Sequence, residues 1–195
     1  LGEGGYAGTP VADVLPFTLE HGGRRPADTG VVALKVTPPA EGLRTTALPL
    51  GPTLATSTSR WDSLPPLTAV NQLGDIRAGA LTLLSGQPLP RGPPHPVLAV
   101  QHYGRGVAAV LDAQDTWTWK MDPRAPIADR SYETFWRQLV RWSLDQVPDR
   151  VEATATPEQV APGDEVTLRA RVLDSLYRYV NDAHVIADVT TPAGA

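Results

Sequence analysis

The sequence predicts an α/β domain followed by the opening strands of an immunoglobulin-like β-sandwich. Three observations predict it. Two apolar runs, residues 97–101 and 107–111, flank Tyr103-Gly104-Arg105-Gly106, where glycine can supply the positive φ of a tight hairpin turn. Residues 131–146 carry Tyr132, Phe135, Trp136, Leu139, Val140 and Leu144 at spacings of three and four, the stripe of an amphipathic helix. Beyond Pro148 the pattern changes to alternation by twos, as expected of short strands facing a core on one side. The boundary falls between residues 147 and 148.

The elements follow in order. Residues 1–8 are glycine-rich and predict a loop. Thr9-Pro10 opens a short helix, with Thr as N-cap and Pro at its first position, and Pro16 ends it. Residues 31–37 are β-branched and apolar, a strand pattern. Residues 38–59 are rich in Pro, Thr and Gly and show no period. Leu64, Leu67 and Val70 recur by threes, but Pro65-Pro66 limits any helix there to a turn or two. Residues 80–84 predict a short buried strand. Residues 87–96 hold five prolines and predict a loop. Residues 112–129 predict an irregular loop containing Trp117 and Trp119. Ser131 is the expected N-cap of the long helix and Pro148 its stop.

In the second part, residues 151–156, 166–173 and 185–190 are the expected strands. Val166, Leu168, Ala170 and Val172 face one way; Thr167, Arg169 and Arg171 face the other. Turn sequences such as Ala161-Pro162-Gly163-Asp164 separate them. Three strands do not close a sandwich, so this part reads as incomplete. The start at Leu1 and the turn-like close at Thr191-Pro192-Ala193-Gly194-Ala195 read in the same way, as an excerpt of a larger protein.

Composition excludes several classes. The net charge of −4, with Arg24-Arg25 the only basic pair, gives no phosphate-binding face, so no nucleic-acid partner is expected. No cysteine is present, which removes disulfides, thiolate metal sites and a Cys nucleophile from this stretch. No apolar run approaches a membrane span, so any membrane contact would come through segments outside this sequence. The hydrophobic fraction of 42% suffices for a core.

Several motifs together resemble the glutamine amidotransferase-like (class I) domains of large, membrane-anchored bacterial proteins. These are Gly4-Gly5-Tyr6-Ala7-Gly8-Thr9-Pro10 with Val14-Leu15-Pro16, Trp61-Asp62-Ser63-Leu64-Pro65, Gln101-His102-Tyr103-Gly104-Arg105-Gly106, Asp115-Thr116-Trp117-Thr118-Trp119, and the helix from Phe135 to Trp142. The resemblance spans residues 4 to about 144. It implies the C-terminal part of a flavodoxin-like fold with its first strands upstream, and a location at the cell envelope, on the extracytoplasmic side. It implies as partners other domains of the same polypeptide and envelope proteins.

An active class I amidotransferase needs a Cys nucleophile, a His base and a Glu that orients the base. This chain has neither Cys nor a His-x-Glu sequence. The resemblance therefore implies a non-catalytic module serving interaction or ligand sensing, with no cofactor. The alternatives are an amidohydrolase completed by upstream residues and a carbohydrate-binding region using Trp117 and Trp119. His102 is the candidate for a surviving base. His21, His95, His102 and His184 are scattered without metal-ligand spacing. Asp112 and Asp115, with Trp117 and Trp119, form the loop with the most chemical character. The two indoles either stack on a ligand or plug the sheet edge with their N–H groups satisfied. Gly104-Arg105-Gly106 either holds an anion or simply makes a turn. Asp115→Ala and Trp117→Ala are both expected to destabilise the domain.

Overall fold

The computed structural model describes residues 6–19, 33–71, 73–157, 159–161 and 163–190. The chain divides into two compact units, Leu1–Val147 and Pro148–Ala195. The expected features at Gly4-Gly5, residues 31–32, Pro162 and Thr191 to Ala195 lie outside the described residues, as do His21 and Arg24-Arg25.

The first unit is built on a four-stranded sheet of order β1-β2-β3-β4: Ala33–Thr37, Leu81–Leu89, His95–Tyr103 and Gly106–Leu111. Every neighbouring pair is antiparallel. This overturns the expected flavodoxin-like fold, whose sheet is parallel. The physical reason is the length of the connections. Parallel neighbours need a crossover of about a dozen residues or more. Here β3 and β4 are joined by Gly104-Arg105 alone, and β2 and β3 by the short proline-rich segment 90–94. Such links return the chain beside itself in the opposite direction.

The prolines expected to keep residues 87–96 out of the sheet do not. Pro88 sits in β2 opposite Leu34, and Pro96 sits in β3 opposite Ser85. The register of β2 on β3 shifts on either side of Leu84. That irregularity turns Leu83 and Leu84 inward together, although strict alternation would expose one of them. In β3, Val97 through Val100 are all buried, the continuous apolar run of a central strand covered on both faces.

Among the described residues five helices accompany the sheet, namely α1 (Pro10–Val14), α2 (Ala40–Leu43), α3 (Leu54–Ser63), α4 (Thr118–Met121) and α5 (Ser131–Asp145). α2 and α3 arise in a region without hydrophobic period. α3 turns only Ser57 and Trp61 into the core, so its stripe is too sparse to read. Its start is instead marked by a capping box, in which Thr53 and Thr56 each bond the other's backbone N–H. Its end is closed by Lys35 of β1, whose Nζ donates to the carbonyls of Trp61, Asp62 and Leu64 at 3.2, 2.7 and 2.6 Å. A cation on the last carbonyls suits the negative end of the helix dipole. Burial of Lys35 lowers its pKa, and the charge of Asp62 works against that.

α5 forms as its stripe predicts, but its cap differs. Arg130, not Ser131, occupies the N-cap position, and the Asp129 carboxylate accepts from the Ser131 amide at 2.7 Å. Phe135 and Leu139 are buried, whereas Val140 and Leu144 of the same stripe are exposed.

α2 lies so close to β2 that a Cβ on Gly42 would fall 2.1 Å from the Leu83 carbonyl oxygen. Gly42→Ala is therefore expected to destabilise the unit by about 2 kcal/mol despite alanine's better helix propensity, because backbone rather than a side chain must move. A denaturant midpoint equal to that of the parent would contradict the close approach.

The second unit is smaller. β5 (Val151–Thr156) and β6 (Thr167–Val172) form a two-stranded antiparallel sheet. Val151, Ala153 and Ala155 stand opposite Val172, Ala170 and Leu168 on one face. On the other, Glu152 pairs with Arg171. After β6, Asp174 ties a turn by accepting from the Leu176 and Arg178 amides. The third expected strand, residues 185–190, does not form; Val185, Ile186 and Val189 are exposed. Alternating residues become a strand only where a neighbouring backbone completes the ladder. Of the three expected strands, two form, and the described residues of this unit make a single two-stranded ribbon.

Candidate functional site at the end of the central hairpin

Chemical groups concentrate where β3 begins and β4 ends. Antiparallel pairing sets Asp112, the residue after β4, beside the start of β3, and its amide donates to Val97 O at 2.7 Å. The Asp112 side chain is fully buried and meets His95, at the head of β3, through an Oδ2–Nε2 contact of 2.6 Å. The His95 side chain is 29% exposed, so one end of the ring faces water while the other holds the carboxylate. Asn71 closes the far side: its amide and its Nδ2 both donate to Asp112 O at 2.9 Å, and its Oδ1 accepts from Gln114 at 2.6 Å. Asp112 Oδ1 is left without a partner among the described residues.

Burial raises the pKa of Asp112, and the hydrogen bond and charge of His95, with Asn71, oppose the rise. A raised carboxyl pKa favours folding most at acidic pH, below the ordinary value of the group. That contribution is lost as pH climbs through the raised value. Asp112→Asn removes this titration. Its denaturation midpoint is therefore expected to gain on the parent's as pH rises from 4 to 8. The opposite slope would mean that the His95 contact outweighs burial.

Asp115 is also buried. Its Oδ2 accepts from the Thr68 amide at 2.7 Å, the Thr68 hydroxyl at 3.1 Å and the Ala69 amide at 3.0 Å. The carboxylate thereby ties the 112–118 segment to the strand-like stretch that bridges Leu34 and Ala113 through Leu67 and Val70. Trp119, on α4, is 3% exposed. Its ring packs edge-to-face on Trp61 and Phe135, with centroids at 5.7 and 5.3 Å, and its Nε1 donates to Pro65 O at 3.2 Å. Trp61 completes the triangle with Phe135 at 5.9 Å and donates to Leu48 O.

Trp117 differs from its neighbour. It is 56% exposed, so the expected loss of stability on its removal is withdrawn for this residue. The two indoles do not form one stacking platform, since Trp119 is enclosed. Met121 and Ile127, in the same 117–130 segment, are exposed as well. A hollow of about 540 Å³ lies there, walled by Trp119, Met121, Ile127 and Tyr132, with Lys120 and Arg130 at its margin. Lys120 pairs with Glu133 at 2.7 Å, and Asp122 with Arg124 at 2.8 Å.

His102 and Gly104-Arg105-Gly106 stand at the other end of the hairpin. His102 is exposed and opposite Val107. Gly104 has φ of 60°, and the two-residue loop with glycine first is the arrangement of a type II′ turn. Thus the structure separates His102 from Asp112 and Asp115, and joins Asp112 to His95 instead. Sequence reasoning missed His95 because prolines on both sides suggested a loop. The signal that could have found it is the hairpin register itself, which carried past Leu98–Leu111 sets 97 opposite 112, with 95 the diagonal neighbour on the same face.

Among the described residues no group of three potential metal ligands converges, and no helix is long and apolar enough to cross a membrane. No protein-family model matches the chain, and no curated protein or solved structure is significantly similar to it.

Proposed function

We propose that the chain serves as a non-catalytic interaction module of a larger cell-envelope protein, the role its motifs share with glutamine amidotransferase-like domains. One observation carries this reading. In the 112–130 segment Asp112, Asp115 and Trp119 are turned inward, while Met121 and Ile127 are turned outward around a hollow and Trp117 is exposed in the same segment. Asp115 binds two backbone amides and Trp119 fills the core. Large apolar side chains held outward beside ion pairs are the composition of a contact surface, in which aromatic and Met anchors sit inside a polar rim.

The test has two arms. A photoreactive residue at position 127, placed in the protein in its native cells, is expected to give a discrete adduct that the same residue at Leu89 does not. In parallel, ammonia release from glutamine by the purified chain is expected to stay at the buffer rate. Turnover above that rate, abolished by Asp112→Ala, would replace this reading with a hydrolytic one. Absence of adducts at position 127 would remove the contact surface.

A further inference from the structure

The outer edge of β4 is built to pair with itself. Asp112 N donates to Val97 O just beyond the last pair, Leu98–Leu111, which makes that pair a non-hydrogen-bonded one. Antiparallel ladders alternate, so Val110, Ala108 and Gly106 direct their N–H and C=O groups at β3. A hydrogen-bonded closing pair Tyr103–Gly106 is also what a two-residue turn requires. Val107, Ala109 and Leu111 then direct their backbone groups away from the sheet. No described strand lies on that side, because β4 is the last strand of the sheet. Among the described residues cover begins just past the strand, where Asn71 donates to Asp112 O and Ala113 bridges to Val70. The opposite edge of the sheet is treated differently. There Leu34 exchanges two hydrogen bonds with Leu67, and Lys35 closes a helix.

Exposed edges are normally guarded by a charge, a proline or a bulge. Gly106–Leu111 has none of these: its residues are Gly, Val, Ala, Ala, Val and Leu, in unbroken register with β3. We infer that β4 pairs antiparallel with β4 of a second copy, about a twofold axis through Ala109, joining two four-stranded sheets into one.

Symmetry selects a second copy over an unrelated strand. A twofold axis normal to a sheet preserves its faces, so it can pair only positions that share a face. The outward-directed set of 107, 109 and 111 is centred on 109. With the axis there, Ala109 meets Ala109 of the partner subunit, and Val107 meets Leu111 of the partner subunit. Every outward N–H and C=O finds a partner, and no charge meets its like. The residue on the axis is small and exposed, so two copies meet there without steric conflict.

The absence of cysteine provides a direct test. A hydrogen-bonded antiparallel pair sets its Cα atoms about 5.5 Å apart, within the range a disulfide spans. In the full chain, Ala109→Cys is expected to yield covalent dimer under mild oxidation, while Leu89→Cys, also exposed, is not. Sedimentation velocity of the parent is expected to show dimer growing from micromolar to near-millimolar concentration. Ala109→Lys, which sets two ammonium groups at the axis, is expected to remain monomeric with an unchanged circular dichroism spectrum. Should Ala109→Lys fail to fold, the cysteine pair still decides the question. A parent that stays monomeric, or a dimer that persists in Ala109→Lys while Ala109→Cys crosslinks no faster than Leu89→Cys, overturns the inference.

Discussion

Replacing Trp119 by alanine is expected to cost the first unit about 3–5 kcal/mol, the cost typical of removing a large buried aromatic side chain. Its ring is enclosed by Trp61 of α3 and Phe135 of α5, so the cavity would open where three helices meet. Edge-to-face pairs add about 0.5–1.5 kcal/mol each beyond burial, and two such pairs would go. Against a domain stability of about 5–15 kcal/mol, that loss is large enough to leave much of the protein unfolded on mild heating. Trp119→Phe keeps a ring in place and forfeits the bond to Pro65 O, so it should lose markedly less. Trp117→Ala, two residues away and half exposed, should stay within about 0.5 kcal/mol. Urea midpoints of the three variants test the order. If the two alanine variants lost equal stability, the aromatic triangle would not be the centre of this core.

Asp115→Ala is the second large effect, about 3 kcal/mol. Its carboxylate accepts three hydrogen bonds through one oxygen, two of them from the consecutive amides of Thr68 and Ala69. Hydrogen bonds to a charged acceptor contribute about 1.5–3 kcal/mol, and removing the acceptor strands both donors in a partly buried place. Asp115→Asn keeps an acceptor oxygen without the charge and should lose roughly half as much. Amide hydrogen exchange gives a reading specific to this contact. The Thr68 and Ala69 amides are expected to exchange much faster in Asp115→Ala, well beyond the change in global stability. Unchanged protection at those two positions would contradict the tether.

Local signals were legible wherever one period or one turn decides the outcome. The apolar runs on either side of Gly104-Arg105 form β3 and β4, and the stripe from Tyr132 to Leu139 forms α5 against the core. The short helix after Thr9-Pro10 is where its cap residues put it. What failed were inferences that needed distant partners. Pro88 and Pro96 looked like loop residues, yet both lie within strands. α3 carried no hydrophobic period because it buries little beyond Trp61; the Thr53–Thr56 box was its only local mark. Five motifs in order suggested a parallel, flavodoxin-like sheet. Short motifs report turns and caps, however, and those features are shared by sheets of either sense.

The candidate site divides in the same way. Asp112 and Asp115, with Trp117 and Trp119, stood out in the sequence as the loop with the most chemical character. Their partners, among them His95, Thr68, Ala69, Trp61 and Phe135, are remote in sequence: Asp115 reaches Thr68 across 47 positions and Trp119 reaches Pro65 across 54, and no spacing rule extends that far. Composition and periodicity by themselves determined that the chain has a core, one tight hairpin and one long amphipathic helix, because those depend on neighbours in sequence. Only the folded chain decided which way the strands run, which tryptophan is inside and which histidine meets the buried aspartate. Each of these turns on backbone paths that bring remote residues within hydrogen-bond or van der Waals reach.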